Sequence, residues 1–135
     1  MDLKTSLGIS ASGLRAQSLR MRVIAENLAN QDSVADTPGG DPYRRRVASF
    51  KAEVDRSSGG MGVKVKAIEN DKSDFTKVYQ PGHPAADKDG YVLKPNVNGL
   101  IETADMKAAQ RSYEANLNAI EAAKSLTMRT IDLLK

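Results

Sequence analysis

The stretch ETADMKAAQRSYEANLNAIEAAKSLTMRTIDLLK, residues 102–135, contains neither proline nor glycine and is rich in alanine, the strongest helix former. Tyr113, Leu117, Ile120, Ile131 and Leu134 recur at helical spacing along one stripe. Ala115, Ala119, Ala122, Leu126 and Leu133 trace a second stripe beside it. A helix with two adjacent apolar stripes touches more than one neighbour. The expected helix covers this stretch, with capping residues among Thr103-Ala104-Asp105-Met106.

Residues 2–30 have the same character at the other end of the chain. They hold no proline, and Leu3, Leu7, Leu14, Met21, Ile24 and Leu28 fall on alternating steps of three and four. Ser10 and Gln17 occupy the two remaining positions of that seam, which is the pattern of a coiled-coil helix. Gly8 and Gly13 each weaken helicity by roughly 0.5–1 kcal/mol against alanine, so the start of the helix should fray unless something packs on it. Two readings stay open for the second C-terminal stripe. Either the two helices form an intramolecular hairpin, or the stripe is covered by other chains.

The middle is a different material. Asp36-Thr-Pro-Gly-Gly-Asp-Pro42 is a loop, and Ser57-Ser-Gly-Gly60 breaks the chain again. Between these breaks residues 43–54 alternate loosely on Val47, Phe50 and Val54. After them Val63, Val65 and Ala67 alternate with Lys64 and Lys66. Phe75–Tyr79 and Tyr91–Leu93 are two further short strands, joined by the turn-rich Pro81–Gly90. Tyr43, Phe50, Phe75 and Tyr79 lie in or beside these strands and are expected to form the small core. The fold class is therefore mainly α with a small β middle: long terminal helices packing as a coiled coil, linked by a short-stranded, loop-rich segment. The organisation is an N-terminal helix over 1–30, an extended middle over 31–98 and a C-terminal helix over 99–135.

Composition narrows the function. The chain has 135 residues, 4% aromatic and no Trp, so it is poor at building a compact core of its own. Cysteine is absent and histidine occurs once, which removes thiol chemistry, disulfides and histidine-rich metal sites. The net charge of +3 is spread along the chain, unlike the concentrated positive face of a nucleic-acid binder. No apolar run approaches the roughly 18 residues of a membrane span, and no cleavable signal is expected at the N-terminus.

Individual motifs read as structural. His83 stands between Gly82 and Pro84, and the nearby Asp87 and Asp89 read as loop caps rather than catalytic partners. Asp87-Lys-Asp-Gly90 lacks the remaining ligands of a calcium loop. Arg44-Arg45-Arg46 is the one dense basic run. On an extended strand at most two of these share a side, and a solvated edge or an intersubunit ion pair is the favoured reading over phosphate contact. The glycines do not form a phosphate-binding spacing. No catalytic residue, cofactor site or metal site is expected.

Three segments together resemble a known family. They are Ser10-Ala-Ser-Gly-Leu14 with Arg22–Asn30, including Asn27 and Asn30; Tyr79–Asp87 running into Asp89–Val92 and Pro95–Asn98; and Glu102–Met106 leading to Arg111–Asn116. The chain is similar to the bacterial flagellar axial proteins of rod and hook, and within them to the proximal rod type of the basal body. On that resemblance the family motif falls on Asn27, Asn30, Pro81, Gly82, His83, Pro84, Asp87, Gly90, Tyr91, Pro95, Asn96, Glu102, Met106, Arg111, Tyr113 and Asn116. Gln31-Asp32-Ser33, Asp74 and Thr103 depart from the family's usual residues.

The resemblance implies a structural, non-catalytic subunit of the rod that crosses the periplasm and transmits motor torque to the hook. It implies export through the flagellar type III apparatus without signal cleavage. Expected partners are copies of itself, other rod proteins, and the basal ring and adaptor at the rod base, with no nucleic acid and no direct membrane insertion. The expected assembly interface is Leu3, Leu7, Leu14, Met21, Ile24 and Leu28 against Tyr113, Leu117, Ile120, Leu126, Ile131 and Leu134. The alternative is a small basic adaptor that binds nucleic acid or anionic lipid through Arg44–Arg46. A small hydrolase around His83 is the third class.

Overall fold

A computed structural model describes residues 2–135. Two long helices, α1 (Leu3–Ala29) and α2 (Gly99–Leu133), enclose four strands: β1 (Arg46–Val54), β2 (Met61–Asn70), β3 (Thr76–Tyr79) and β4 (Tyr91–Lys94). The mainly helical class with a small β middle is as expected. The strands form two separate two-stranded sheets, β1 with β2 and β3 with β4, rather than one. The first extended segment also begins later than the alternation suggests, at Arg46 rather than Tyr43.

Both helix starts are capped by short polar residues. Asp2 Oδ1 accepts the Thr5 N–H at 2.7 Å, and this bond draws the Asp2 carboxyl below its ordinary range. At α2 the cap is Asn98, whose Oδ1 accepts the Leu100 N–H at 3.0 Å while its carbonyl accepts the Glu102 N–H at 3.0 Å. The expected caps at Thr103–Asp105 therefore lie inside the helix, because Asn98 stops the chain one turn earlier.

The chain divides into two compact units, one of Met1–Met21, Ala48–Ala67 and Lys107–Lys135, the other of Arg22–Val47 and Ile68–Met106. In the first unit the start of α1 is covered by the β1–β2 hairpin. A Cβ on Gly60 would stand 2.6 Å from Thr5 Cγ2, and one on Gly62 would stand 2.8 Å from Ser12 Oγ. Ser12 Oγ also accepts the Val63 N–H at 3.1 Å. Gly60, read as part of a chain break, and Gly62 inside β2 thus let the hairpin lie directly on the helix.

The hairpin turn is closed by Asp55, which accepts from Ser57 N (2.9 Å), Ser57 Oγ (2.7 Å) and Ser58 Oγ (2.9 Å). Gly59 supplies the positive φ of 71°. The Ser57 hydroxyl and amide, then Ser58, hold the Asp55 carboxyl down to about 2. A depressed carboxyl contributes stability that is present above its unfolded value of 3.8 and is lost as pH falls through about 2. In an NMR titration Asp55 is expected to have its midpoint near that lower value, with Ser57→Ala moving it upward. A wild-type midpoint in the usual aspartate range would contradict the turn geometry.

In the same unit, a Cβ on Gly13 would stand 2.6 Å from Asn116 Nδ2, so α1 and α2 approach closely there. The Asn116 amide is itself tied to the Ser112 carbonyl at 2.9 Å. Gly13→Ala, which ordinarily favours a helix, is expected here to destabilise by about 1–3 kcal/mol through overpacking. Adding Asn116→Ala should recover most of the loss in urea denaturation. A stabilised Gly13→Ala single variant would show that the helices are not in contact at this point.

The core differs from the aromatic one that was expected. The buried apolar residues are aliphatic, four of them alanine: Ala16, Val23, Ile24, Ala85, Val92, Ala109 and Ala123. Tyr43, Phe50 and Phe75 are only half-buried, and Tyr79 is exposed. Two strands per sheet offer too little width to enclose an aromatic ring on all sides.

Candidate functional site

The most deeply buried polar residues of the second unit form a single node. Asn27 and Glu102 are 1% and 0% exposed, among the least accessible side chains in the protein. Asn27 Nδ2 donates to the Arg46 carbonyl at 2.8 Å and to Glu102 Oε2 at 3.2 Å. Its Oδ1 accepts from Arg46 N (3.0 Å) and from the Tyr43 hydroxyl (2.7 Å). The asparagine thus serves as a strand-like partner for Arg46, with all its hydrogen-bonding capacity used inside the fold.

Arg45 completes the node. Its Nε pairs with Glu102 Oε1, its Nη1 with Asp71 Oδ2 at 3.2 Å and its Nη2 with Asp105 Oδ2 at 3.5 Å. Burial works against the guanidinium charge, but the bonds and charge of Glu102 and then Asp71 outweigh it and hold Arg45 above its usual range. Asn96 Oδ1 accepts the Arg45 N–H at 2.7 Å, and its Nδ2 reaches the Asp71 and Ser73 carbonyls at 3.0 and 3.2 Å. The Ser73 amide and hydroxyl lower the Asp71 carboxyl, and Arg45 adds to the effect. Burial pushes the Tyr43 hydroxyl, which donates to Asn27, above its ordinary value.

The other two arginines of the run are also engaged. Arg44 lies 4.1 Å over the Phe75 ring and donates to the Asp71 and Ser73 carbonyls. Arg46 pairs with Glu26 at 3.3 Å. The run is therefore neither a solvated edge nor left over for an intersubunit pair, as the sequence had suggested. It is spent on partners within the chain. No local signal in the sequence points to Asp71, Asn96 and Glu102 as those partners, because they lie 26 to 57 residues away.

The remaining motif residues in the β3–β4 connection shape a loop. The strands pair antiparallel with Tyr79 opposite Tyr91, and the two rings meet edge-on at 5.4 Å. His83 Nδ1 accepts the Ala85 N–H at 3.0 Å, which commits that nitrogen to the loop backbone. Asp87 Oδ1 accepts from the Asp89 and Tyr91 amides, both at 2.9 Å, the capping role expected for it. Gly90 has φ of 86° and is buried under the Tyr79 ring. Pro81, Gly82 and Pro84 are exposed, and Pro95 is buried. Among the described residues no cluster of His, Cys, Asp or Glu is arranged to hold a metal ion. No helix among them is long and apolar enough to cross a membrane.

Asn30, just past α1, closes that helix by donating from Nδ2 to the Glu26 carbonyl at 2.8 Å. On α1 Ile24 is buried, Leu7, Leu14, Met21 and Leu28 are half-buried, and Leu3 is exposed. On α2 Met106, Tyr113, Asn116 and Ile120 are half-buried, whereas Arg111, Leu117, Leu126, Ile131 and Leu134 are exposed. In the first unit α2 buries Ala109 and Ala123 and half-buries Ser112, Tyr113, Asn116, Ile120 and Thr127. Tyr113 and Ile120 lie half-buried on the same side of the helix, Leu117, Leu126, Ile131 and Leu134 are exposed, and so is every residue from Met128 onward. Leucines left in solvent leave part of the apolar area of the helix unburied within one chain.

Comparison with known proteins adds to this geometry. Residues 88–133 match the family described as flagellar basal body rod FlgEFG protein C-terminal. Over 133 residues the chain is 52% identical to the flagellar basal-body rod protein FlgC of Agrobacterium fabrum, covering 98% of this chain and 96% of that one. It is 41% identical to the FlgC of Bacillus subtilis over 145 residues, covering 96% of this chain and 97% of the relative. With the FlgC of Salmonella typhimurium it shares 39% identity over 133 residues, covering 98% of each chain.

Proposed function

The chain belongs to the FlgC family of flagellar basal-body rod proteins, and on that premise we propose how it builds the rod. It is a structural subunit of the basal-body rod and resides there, in association with other rod and flagellar proteins. Our reading of the mechanism is mechanical: identical modest contacts, repeated around and along a helical lattice, carry torque that a single contact could not.

The observation that carries this reading is the exposure of large apolar side chains along α2, among them Leu117, Leu126, Ile131 and Leu134. In the rod these residues, with Leu3, Leu7, Leu14, Met21, Ile24, Leu28, Tyr113 and Ile120, make the helix contacts within and between subunits as a coiled-coil core. Residues 31–98 supply lateral and axial contacts that stiffen the shaft. The further partners are other copies of the chain, the basal ring and adaptor at the rod base, and the type III export apparatus. No step in this reading is catalytic. The adaptor alternative has no support, since Arg44, Arg45 and Arg46 are all engaged within the chain.

An in-frame deletion in the source bacterium tests the reading, scored by swimming and by electron microscopy of basal bodies. Rod, hook and filament are expected to be lost together and restored by re-expression. Intact flagella in the deletion strain would overturn it.

A further inference from the structure

We propose that the Asn98-Gly99 peptide is a site of spontaneous deamidation that the folded chain holds in check, so that damage there accumulates only in chains that stay unfolded. Of the asparagines in the sequence, Asn98 alone is followed by glycine. Glycine lacks the side chain that would otherwise keep its backbone nitrogen away from the preceding amide. In the reaction the Gly99 nitrogen attacks Asn98 Cγ, forming a C–N bond. The Cγ–Nδ2 bond breaks, and ammonia leaves with the proton given up by the Gly99 N–H. Water then opens the five-membered imide at either carbonyl, yielding aspartate or isoaspartate.

The fold requires this reactive pair and also restrains it. Asn98 is exposed and caps α2 through Oδ1 to Leu100 N at 3.0 Å and through its carbonyl to Glu102 N at 3.0 Å. Gly99 lies against Gln31, where a Cβ would stand 2.8 Å from Oε1. A short polar acceptor is needed at one position and a missing side chain at the next. With both capping bonds made, the Asn98 side chain is held on the Leu100 amide and the Asn98-Gly99 backbone is fixed at the start of α2, so neither is free to swing into the geometry of attack. Reaction therefore waits on opening of the first turn of α2, which Glu102 anchors to Arg45 and Asn27.

The two products have opposite consequences. Aspartate keeps the accepting oxygen and adds a negative charge where a helix start favours one. Isoaspartate routes the main chain through Cβ, inserts one extra carbon and loses both capping bonds. Glu102 is then displaced from its buried partners. A chain carrying isoaspartate at this position is barred from rebuilding the node.

The test incubates the purified full-length protein at mildly alkaline pH, in native buffer and in urea, with peptide mapping by mass spectrometry and isoaspartate detection. Conversion at Asn98 is expected to be about tenfold or more slower in native buffer than in urea, and faster in urea than at any other asparagine. After urea removal, isoaspartate chains should fail to refold, while Asn98→Asp and Asn98→Ser, which keep a capping oxygen, should refold after the same treatment. Equal rates in the two buffers, or a faster site elsewhere, would overturn the proposal. So would native refolding of the isoaspartate chains.

Discussion

Glu102→Ala is expected to destabilise the chain by about 3–5 kcal/mol, the usual consequence of breaking one side of a buried ion pair. Glu102 is fully buried, and its two oxygens serve Arg45 and Asn27. Its loss leaves the Asn27 amide short of a partner and removes the innermost counter-charge of Arg45. Asp71 and Asp105 still hold the outer nitrogens of that guanidinium, which is itself partly exposed. The loss should therefore fall in the lower part of the range. Glu102→Gln keeps the shape and one acceptor oxygen and should cost less. Urea denaturation of the purified protein decides the matter: a loss below about 1 kcal/mol for the alanine variant would mean that the node is not holding the unit together.

The second large effect concerns assembly. Leu126→Asp is expected to abolish rods and swimming while leaving the isolated chain as stable as the wild type. Leu126 is 53% exposed, and a charge at such a surface position changes stability by only about 0.5 kcal/mol. In a packed subunit interface the same charge would be desolvated without a partner. Ile120 is a less clean choice on the same helix. It is half-buried in the chain itself, so Ile120→Asp would mix a folding defect with an assembly defect. Basal bodies counted by electron microscopy, beside a denaturation curve for the purified variant, separate the two. Normal rods with Leu126→Asp would remove this residue from the interface.

The two predictions concern two kinds of residue. Asn27, Asn96 and Glu102 act inside the fold, where they tie the ends of both helices to the arginine run. Leu126, Ile131 and Leu134 do nothing for the single chain that would explain their presence. The Pro81–Gly90 connection belongs to the first kind, since His83 and Asp87 are occupied with backbone amides of their own loop.

The helices, the four strands and the breaks between them were legible in the sequence because each rests on local pattern. Proline and glycine interrupt the middle, period-two alternation marks β2, and the alanine-rich, glycine-free stretch marks α2. The family was legible for the same reason, since its motifs are contiguous. Which residues of the α2 stripe would be covered in a single chain was not legible. Tyr113 and Ile120 of the expected stripe are half-buried, but Leu117, Ile131 and Leu134 of the same stripe are exposed, and at Gly13 the approach of Asn116 leaves no room for a Cβ. The partners of Arg44, Arg45 and Arg46 were hidden as well, because a charged residue's partner is set by the path of the chain and not by its neighbours in sequence. Periodicity and turn chemistry therefore determined the elements of this protein. Tertiary structure decided which residues those elements enclose, since close packing depends on side-chain volume and buried charge on distant partners, and neither is a local property of the chain.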